Sequence, residues 1–186
     1  MAVDAWFSDQ TSIFVQKKDG SETNFTVKVL SISESGFERE TEGIVTFGDG
    51  RIVQKKPQKD GKVEIELVMT DTTEDAIFWG STGTGAPALV ESGGDQDPYR
   101  VTIVRTAATT LPTAATAAIT GETYRRSYAN AYAVTLEPEH EADSFLKAKL
   151  TFTIAPMDAD ADPNVRSEYN ATSLSGLNAY TTSNKF

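Results

Sequence analysis

Two stretches of this chain alternate apolar and polar residues with a period of two, and that pattern constrains the fold more than any other feature. Lys62–Met69 sets Val63, Ile65, Leu67 and Met69 against Glu64 and Glu66. Leu146–Ile154 sets Leu146, Ala148, Leu150, Phe152 and Ile154 against Lys147, Lys149, Thr151 and Thr153. Successive side chains leave opposite faces of a β-strand, so each segment predicts a strand with one buried and one wet face. Looser versions occur at Ile13–Gln16, Phe25–Ile32, Ile44–Phe47, Arg51–Gln54, Tyr99–Thr106 and Ala131–Glu137. Asp19-Gly20, Asp49-Gly50 and Asp60-Gly61 supply the positive-φ pairs of hairpin turns, and Ser33–Gly36 predicts a further turn. Many strands joined by tight turns give a mainly β chain, an antiparallel β-sandwich or partial barrel. One short flanking α-helix is predicted, because Asp71-Thr72-Thr73-Glu74 forms a capping box and Gly80 a stop.

The expected β-domain spans 1–156, with long loops at about 80–98 and 107–121. The segment 157–186 reads as a polar tail lying on the body or on a neighbour. At 186 residues, 39% of them hydrophobic, the chain is long enough to bury a core. With no cysteine and one histidine it lacks disulfides, thiolate metal sites and cysteine nucleophiles, and no cofactor is expected. The net charge of −10 opposes gripping nucleic acid, which calls for a basic surface. No apolar run reaches the ~18 residues of a membrane span, and Met1–Val15 has no basic leader pattern.

Candidate chemistry is sparse. Asp158, Asp160 and Asp162 invite a divalent cation, but Pro163 and Tyr169 stand where a calcium loop of the EF-hand type needs Gly and Glu. They read better as a solvated acidic turn. His140 lies in the charged run Glu137–Glu141 without a nucleophile elbow, and Glu64 with Glu66 reads as a wet strand face rather than a catalytic pair. Gly80–Gly85 lacks the lysine of a phosphate-binding loop, while Asn24 and Asn170 open short glycosylation patterns of low specificity. The expectation is a protein that is not an enzyme.

Three segments taken together resemble the major tail tube proteins of tailed viruses, especially those with long non-contractile tails. They are Ser31–Arg51 continuing into Lys55–Leu67, Tyr99–Arg105, and Tyr132–Glu139 continuing through Leu146–Ile154 to Pro156. The resemblance implies a structural virion protein, made in the host cytoplasm, that self-assembles into homo-hexameric rings. Those rings would stack into a tube that conducts the viral DNA without binding it specifically. It also implies other tail proteins at the tube ends and no membrane partner. Open strand edges agree with this, because ring closure hides each edge against the next subunit. The competing readings are a β-sandwich binding module of adhesin or carbohydrate-binding type, which exposed aromatics on one sheet face would favour, and a hydrolase with an unrecognised site.

Glu64 and Glu66 are the expected lumen-facing residues, with Lys147 and Lys149 the competing pair. The segment Gln54–Lys62 concentrates Lys55, Lys56, Lys59 and Lys62 in an acidic protein and reads as an inter-ring loop. The resemblance places a contact with the adjacent ring at the same position.

Overall fold

A computed structural model of the chain describes residues 10–39, 41–45, 51–55, 58–80, 96–107, 110–140 and 144–186. The strands are β1 (Thr11–Lys17), β2 (Glu22–Asn24), β3 (Val29–Gly36), β4 (Thr41–Val45), β5 (Arg51–Lys55) and β6 (Gly61–Val68), followed by the helix α1 (Thr73–Trp79). Then come β7 (Tyr99–Thr106), β8 (Ile119–Thr120), β9 (Thr123–Glu139), β10 (Lys147–Ile154), β11 (Val165–Asn170) and β12 (Ser173–Leu174). The main sheet runs β2-β1-β7-β9-β10-β6-β3 and is antiparallel throughout, with β11 also on β9. It is the expected antiparallel architecture with one short helix, and the sheet does not close into a barrel.

The 17-residue strand β9 joins two layers. Its first half, to Ala131, pairs with β7 on one side and β11 on the other; its second half pairs with β10. Strands β10 and β11 therefore lie end to end along β9, separated by an excursion at 155–164. At the junction Asn130 takes φ 49°, and the registers of β7 and β10 each shift nearby. An extra residue in one strand bends and twists it, and asparagine tolerates the left-handed region better than most side chains. The bend lets β3, β6 and β10 fold over β1, β7 and the start of β9. Tyr99 of β7 accordingly meets Phe152 of β10 edge-on at 6.2 Å.

Between the layers lies the main core: Val63, Ile65 and Leu67 from β6, Leu150 and Phe152 from β10, Val101 and Ile103 from β7, and Ile13 and Val15 from β1. The opposite face of β1 and β7 is covered too. Phe14 and Val104 pack there with Ala115, Ile119 and Leu177 as a second cluster. Residues 177–186 hold this cover in place. Tyr180 exchanges hydrogen bonds with Asn130, donating to Oδ1 at 2.8 Å and accepting from the backbone N–H at 3.1 Å. The fully buried Arg100 donates to the Asn178 and Lys185 carbonyls and to Gln16 Oε1. Burial lowers the Arg100 pKa to about 10.

Several local expectations change. Phe25–Ile32 is not one strand, because the chain turns at 26–28 between β2 and β3. Ser33–Gly36 is not a turn but the end of β3, and Asp60-Gly61 leads into β6. Asp19-Gly20 does turn the β1–β2 hairpin, with Asp19 at φ 54°. The helix begins one residue later than the capping box implies, at the N-cap Thr72. Glu74 does not reach back to cap it. Instead it is fully buried against Lys28 at 3.4 Å, while Asp71 Oδ1 accepts from the Thr73 N–H. The loop expected at 107–121 carries β8, whereas 81–95 lies outside the described residues.

The second cluster gives a direct test. Leu177→Ala should cost about 2–4 kcal/mol of unfolding free energy, measured by urea denaturation, because truncating a packed leucine leaves a cavity. A loss below about 0.5 kcal/mol would mean that this segment does not seal the sheet.

Candidate assembly surface

The outer face of β3, β6, β10 and the second half of β9 is polar. Alternation sends Ser31, Ser33 and Ser35 outward from β3, and Lys62, Glu64 and Glu66 outward from β6. From β10 and β9 it adds Lys147, Lys149, Glu137 and Glu139. Glu64 and Lys149 form an ion pair at 2.8 Å, and Ser31 Oγ donates to Glu66 at 2.9 Å. The hydrogen bond to Glu64, with the further charges of Glu137 and Glu66, raises the Lys149 pKa. The glutamates expected on a lumen face and their competing lysines thus share one surface. Opposite charges on neighbouring strands of one face compensate each other across the ladder. Among the described residues Tyr132 is the sole aromatic outward on this face, opposite Thr153.

Both borders of this four-stranded patch are open among the described residues. Strand β3 has only β6 as a partner, and β9 beyond Ala131 has only β10. Exposed Tyr132 and Val134 lie along the second border, next to Met157 of the excursion.

Within the segment Gln54–Lys62, Gln54 and Lys55 end β5, residues 58–60 lie outside any strand, and Gly61 and Lys62 open β6. The β3–β6 ladder ends at Gly36 opposite Gly61, the Lys59 N–H donates to the Glu38 carbonyl, and the β4–β5 arm continues from Thr41 opposite Lys55 to Val45 opposite Arg51. The predicted turn at Asp49-Gly50 lies outside the described residues. Lys55 ends β5, Lys56 lies outside the described residues, Lys59 pairs with Glu38 at the arm's root, and Lys62 sits on the polar face opposite Ser35.

The root of the arm is fixed by a cluster that periodicity alone did not single out. Gly36 and Phe37 both have positive φ, and the Phe37 ring stacks on Tyr128 at 5.7 Å. A Cβ on Gly61 would stand 1.9 Å from that ring, so only glycine leaves room. Glu34, on the inward side of β3, accepts hydrogen bonds from Tyr128 Oη at 2.7 Å and Arg126 Nη1 at 2.5 Å, with Arg105 at 3.3 Å. Burial alone would raise its pKa, but these donors and charges together hold it below the ordinary carboxylate value. Burial, with Glu34 beside it, pushes the Tyr128 phenol up. The signal available in sequence was the phase: Glu34 alternates with Ile32, on the core side of the strand.

The acidic run at 158–162 is organised around the Asp158 carboxylate. One oxygen of Asp158 accepts from the N–H groups of Asp160 and Asp162, and the other pairs with Lys185. Asp158, Asp160 and Asp162 are not brought together as a ligand set, and no other metal-competent cluster occurs among the described residues. His140 is exposed at the end of β9.

No protein-family model matches the sequence, and no curated protein matches it. Solved structures do. A chain of the anti-feeding prophage baseplate, 6-fold symmetrised, superposes with a TM-score of 0.50 at 12% identity, covering 94% of this chain and 98% of that one. The fold is shared with that baseplate component. A chain of the anti-feeding prophage tube-terminating cap gives 0.48 at 14% identity over 91% and 95% of the two chains. One from the sheath–tube complex of the PVC extracellular contractile injection system gives 0.46 at 16% over 85% and 88%. These structures come from an anti-feeding prophage and an extracellular contractile injection system.

The Glu34 cluster predicts a pH signature. Because its folded pKa lies below the unfolded value near 4.5, its contribution is complete above that value and is lost as pH falls through the folded pKa. Glu34→Gln should cost about 1–2 kcal/mol at neutral pH, the partly exposed Arg126 keeping the effect modest. Wild type and variant should converge in stability as pH falls through the folded pKa of Glu34. Parallel stability–pH profiles would show that Glu34 does not carry its charge into the fold.

Proposed function

We propose that this chain is a structural tube subunit that assembles with itself into stacked hexameric rings in a tail-like assembly, with no catalytic role. The observation that carries the reading is the four-stranded patch β9-β10-β6-β3, which has one dry face, one charge-compensated face and two open borders. Its strands alternate in direction, so β3 of one copy can run antiparallel beside residues 132–139 of the next. Repeating that step closes a ring and leaves no edge exposed. Six copies of four strands, at about 4.8 Å spacing, make a barrel roughly 37 Å across before strand tilt widens it. The shared fold with a component of a 6-fold symmetrised baseplate supports the same reading. The binding-module alternative would rest on Tyr132 of the polar face and on Tyr169 opposite Tyr124 on the β11–β9 ladder, which do not form one platform.

In this arrangement the polar face lines the bore. Four carboxylates (Glu64, Glu66, Glu137, Glu139) stand beside three ammonium groups (Lys62, Lys147, Lys149), so a polyanion meets little net charge. A genome passing through such a bore would be neither gripped nor strongly repelled. The open ends of the tube would be covered by terminating or baseplate components.

Negative-stain microscopy and mass photometry over a concentration series should show sixfold rings and their stacks, whereas a monomer at every concentration and salt would refute the proposal. Amide hydrogen exchange locates the seam: protection should rise on assembly in residues 29–36 and 132–139. Assembly without such protection would place the ring contact elsewhere. Glu64→Lys with Glu66→Lys should leave the rings intact but retard a polyanion in the bore, and unchanged passage would put those glutamates on the outside.

A further inference from the structure

Strand β11 ends the layer that β1, β7 and the first half of β9 form. It pairs with β9 over Val165–Asn170 without a register shift, and no strand among the described residues pairs with its other side. Sheet edges of this kind are ordinarily blunted by a lysine, a proline, a bulge or extreme shortness. At the far side of the same layer β2 has only three residues. β11 has six, and none of those devices falls between Val165 and Asn170. Arg166, Ser167, Tyr169 and Asn170 are exposed, Tyr169 at 59%. An unprotected edge with an exposed aromatic side chain is a template for a further strand.

The strand that fits this edge best is its own. Val165-Arg166-Ser167-Glu168-Tyr169 is complementary to itself read backwards about Ser167. When two copies run antiparallel with their Ser167 residues opposite, Arg166 of each faces Glu168 of the other, and Val165 of each faces Tyr169. Opposite charges and β-branched–aromatic pairs are both favourable cross-strand neighbours. A slip of two residues one way sets Arg166 opposite Arg166, and the other way Glu168 opposite Glu168, which like charges disfavour. Glu168 is already held for the contact, because the buried Arg125 donates to its Oε2 at 2.6 Å. The Arg166 side chain, 48% exposed, pairs with the other oxygen of its own Glu168 at 2.7 Å and so lies beside the edge that a second copy would meet.

We infer that β11 is a two-fold pairing edge, at which two copies of this chain join their β11 strands antiparallel in the Ser167–Ser167 register. The contact goes beyond the stacked-ring reading and does not rest on it, since the proposed ring seam uses β3 and residues 132–139. It is isologous, the same patch on both partners, so it closes after two copies and leaves no edge to propagate. Neighbours in a sixfold ring are related by a rotation that cannot produce it, so the partners are not adjacent members of one ring. Backbone hydrogen bonds supply the affinity, and the two Arg166–Glu168 pairs set the register.

Because the chain has no cysteine, the register can be read by cross-linking. Ser167→Cys changes an exposed position, and far-ultraviolet circular dichroism should match wild type. Mild oxidation should link this variant into two-chain species on a denaturing gel, at least about tenfold faster than Ser183→Cys, which is also exposed and lies outside β11. Equal rates would overturn the pairing. Val165→Cys and Tyr169→Cys should each stay unlinked alone and should link when mixed; links within either variant alone would overturn the register. Arg166→Glu added to Ser167→Cys sets glutamate against Glu168 twice and should slow linking at least about tenfold, whereas an unchanged rate would remove the charge pairs from the contact. In the unmodified protein, amide exchange at residues 165–170 should slow as concentration rises, and exchange independent of concentration would overturn the inference. Rings without the 167–167 link defeat the pairing and leave the tube reading standing, and the link without rings does the reverse.

Discussion

The bend of β9 at Asn130 is the constraint on which the other features depend. A strand that serves two layers must change direction at their boundary, and here it does so at one residue in the left-handed region. Asparagine enters that region at low cost, but nothing in its backbone preference holds it there. The surroundings do: Tyr180 bonds both its N–H and its side chain, and its Nδ2 donates to Asn164 at 2.9 Å. Asn164 is itself tied to the carbonyl of Ala155 and accepts from the N–H of Ala129, so the acidic excursion and the bend are one hydrogen-bonded unit. The brace of the corner is Asn164, the residue that ends the excursion carrying the aspartates.

From that corner follows the placement of charge. Folding the sheet over brings Glu34 of β3 against Arg126 and Arg105, residues far from it in sequence, and so anchors the arm's root to the layer behind it. A half-buried carboxylate with several donors fixes geometry more than it adds stability. The outer face works in the opposite way. Its ion pairs are exposed and individually weak, and their effect is to leave a wet surface with little net field.

Much of the architecture was legible because hydrophobic alternation survives wherever a strand has one dry side. Lys62–Met69, Leu146–Ile154 and Tyr99–Thr106 appear within a residue or two of their predicted bounds. Legibility failed where a strand is buried on both faces by polar groups. Thr123, Arg125 and Ser127 of β9 are buried, as is Arg100 of β7 against the Asn178 and Lys185 carbonyls, and no period in the sequence distinguishes them from surface residues. Lys55 and Lys62 were placed in a loop but lie in β5 and β6, because an Asp-Gly pair looks the same whether it turns a hairpin or precedes a strand. For the helix, the capping-box pattern located the start but not the destiny of Glu74, which Lys28 draws inward.

The polar patch contains an even number of strands, and parity has a consequence for how such a subunit can vary. With four strands per copy, the first and last run in opposite directions, so in the proposed ring every seam would repeat the antiparallel pairing found inside each copy. An odd number would force a parallel seam at every junction, with a different hydrogen-bond spacing from the rest of the wall. A lineage built on this plan can therefore widen or narrow its bore by gaining or losing a whole hairpin, or by changing the number of copies, but not by a single strand.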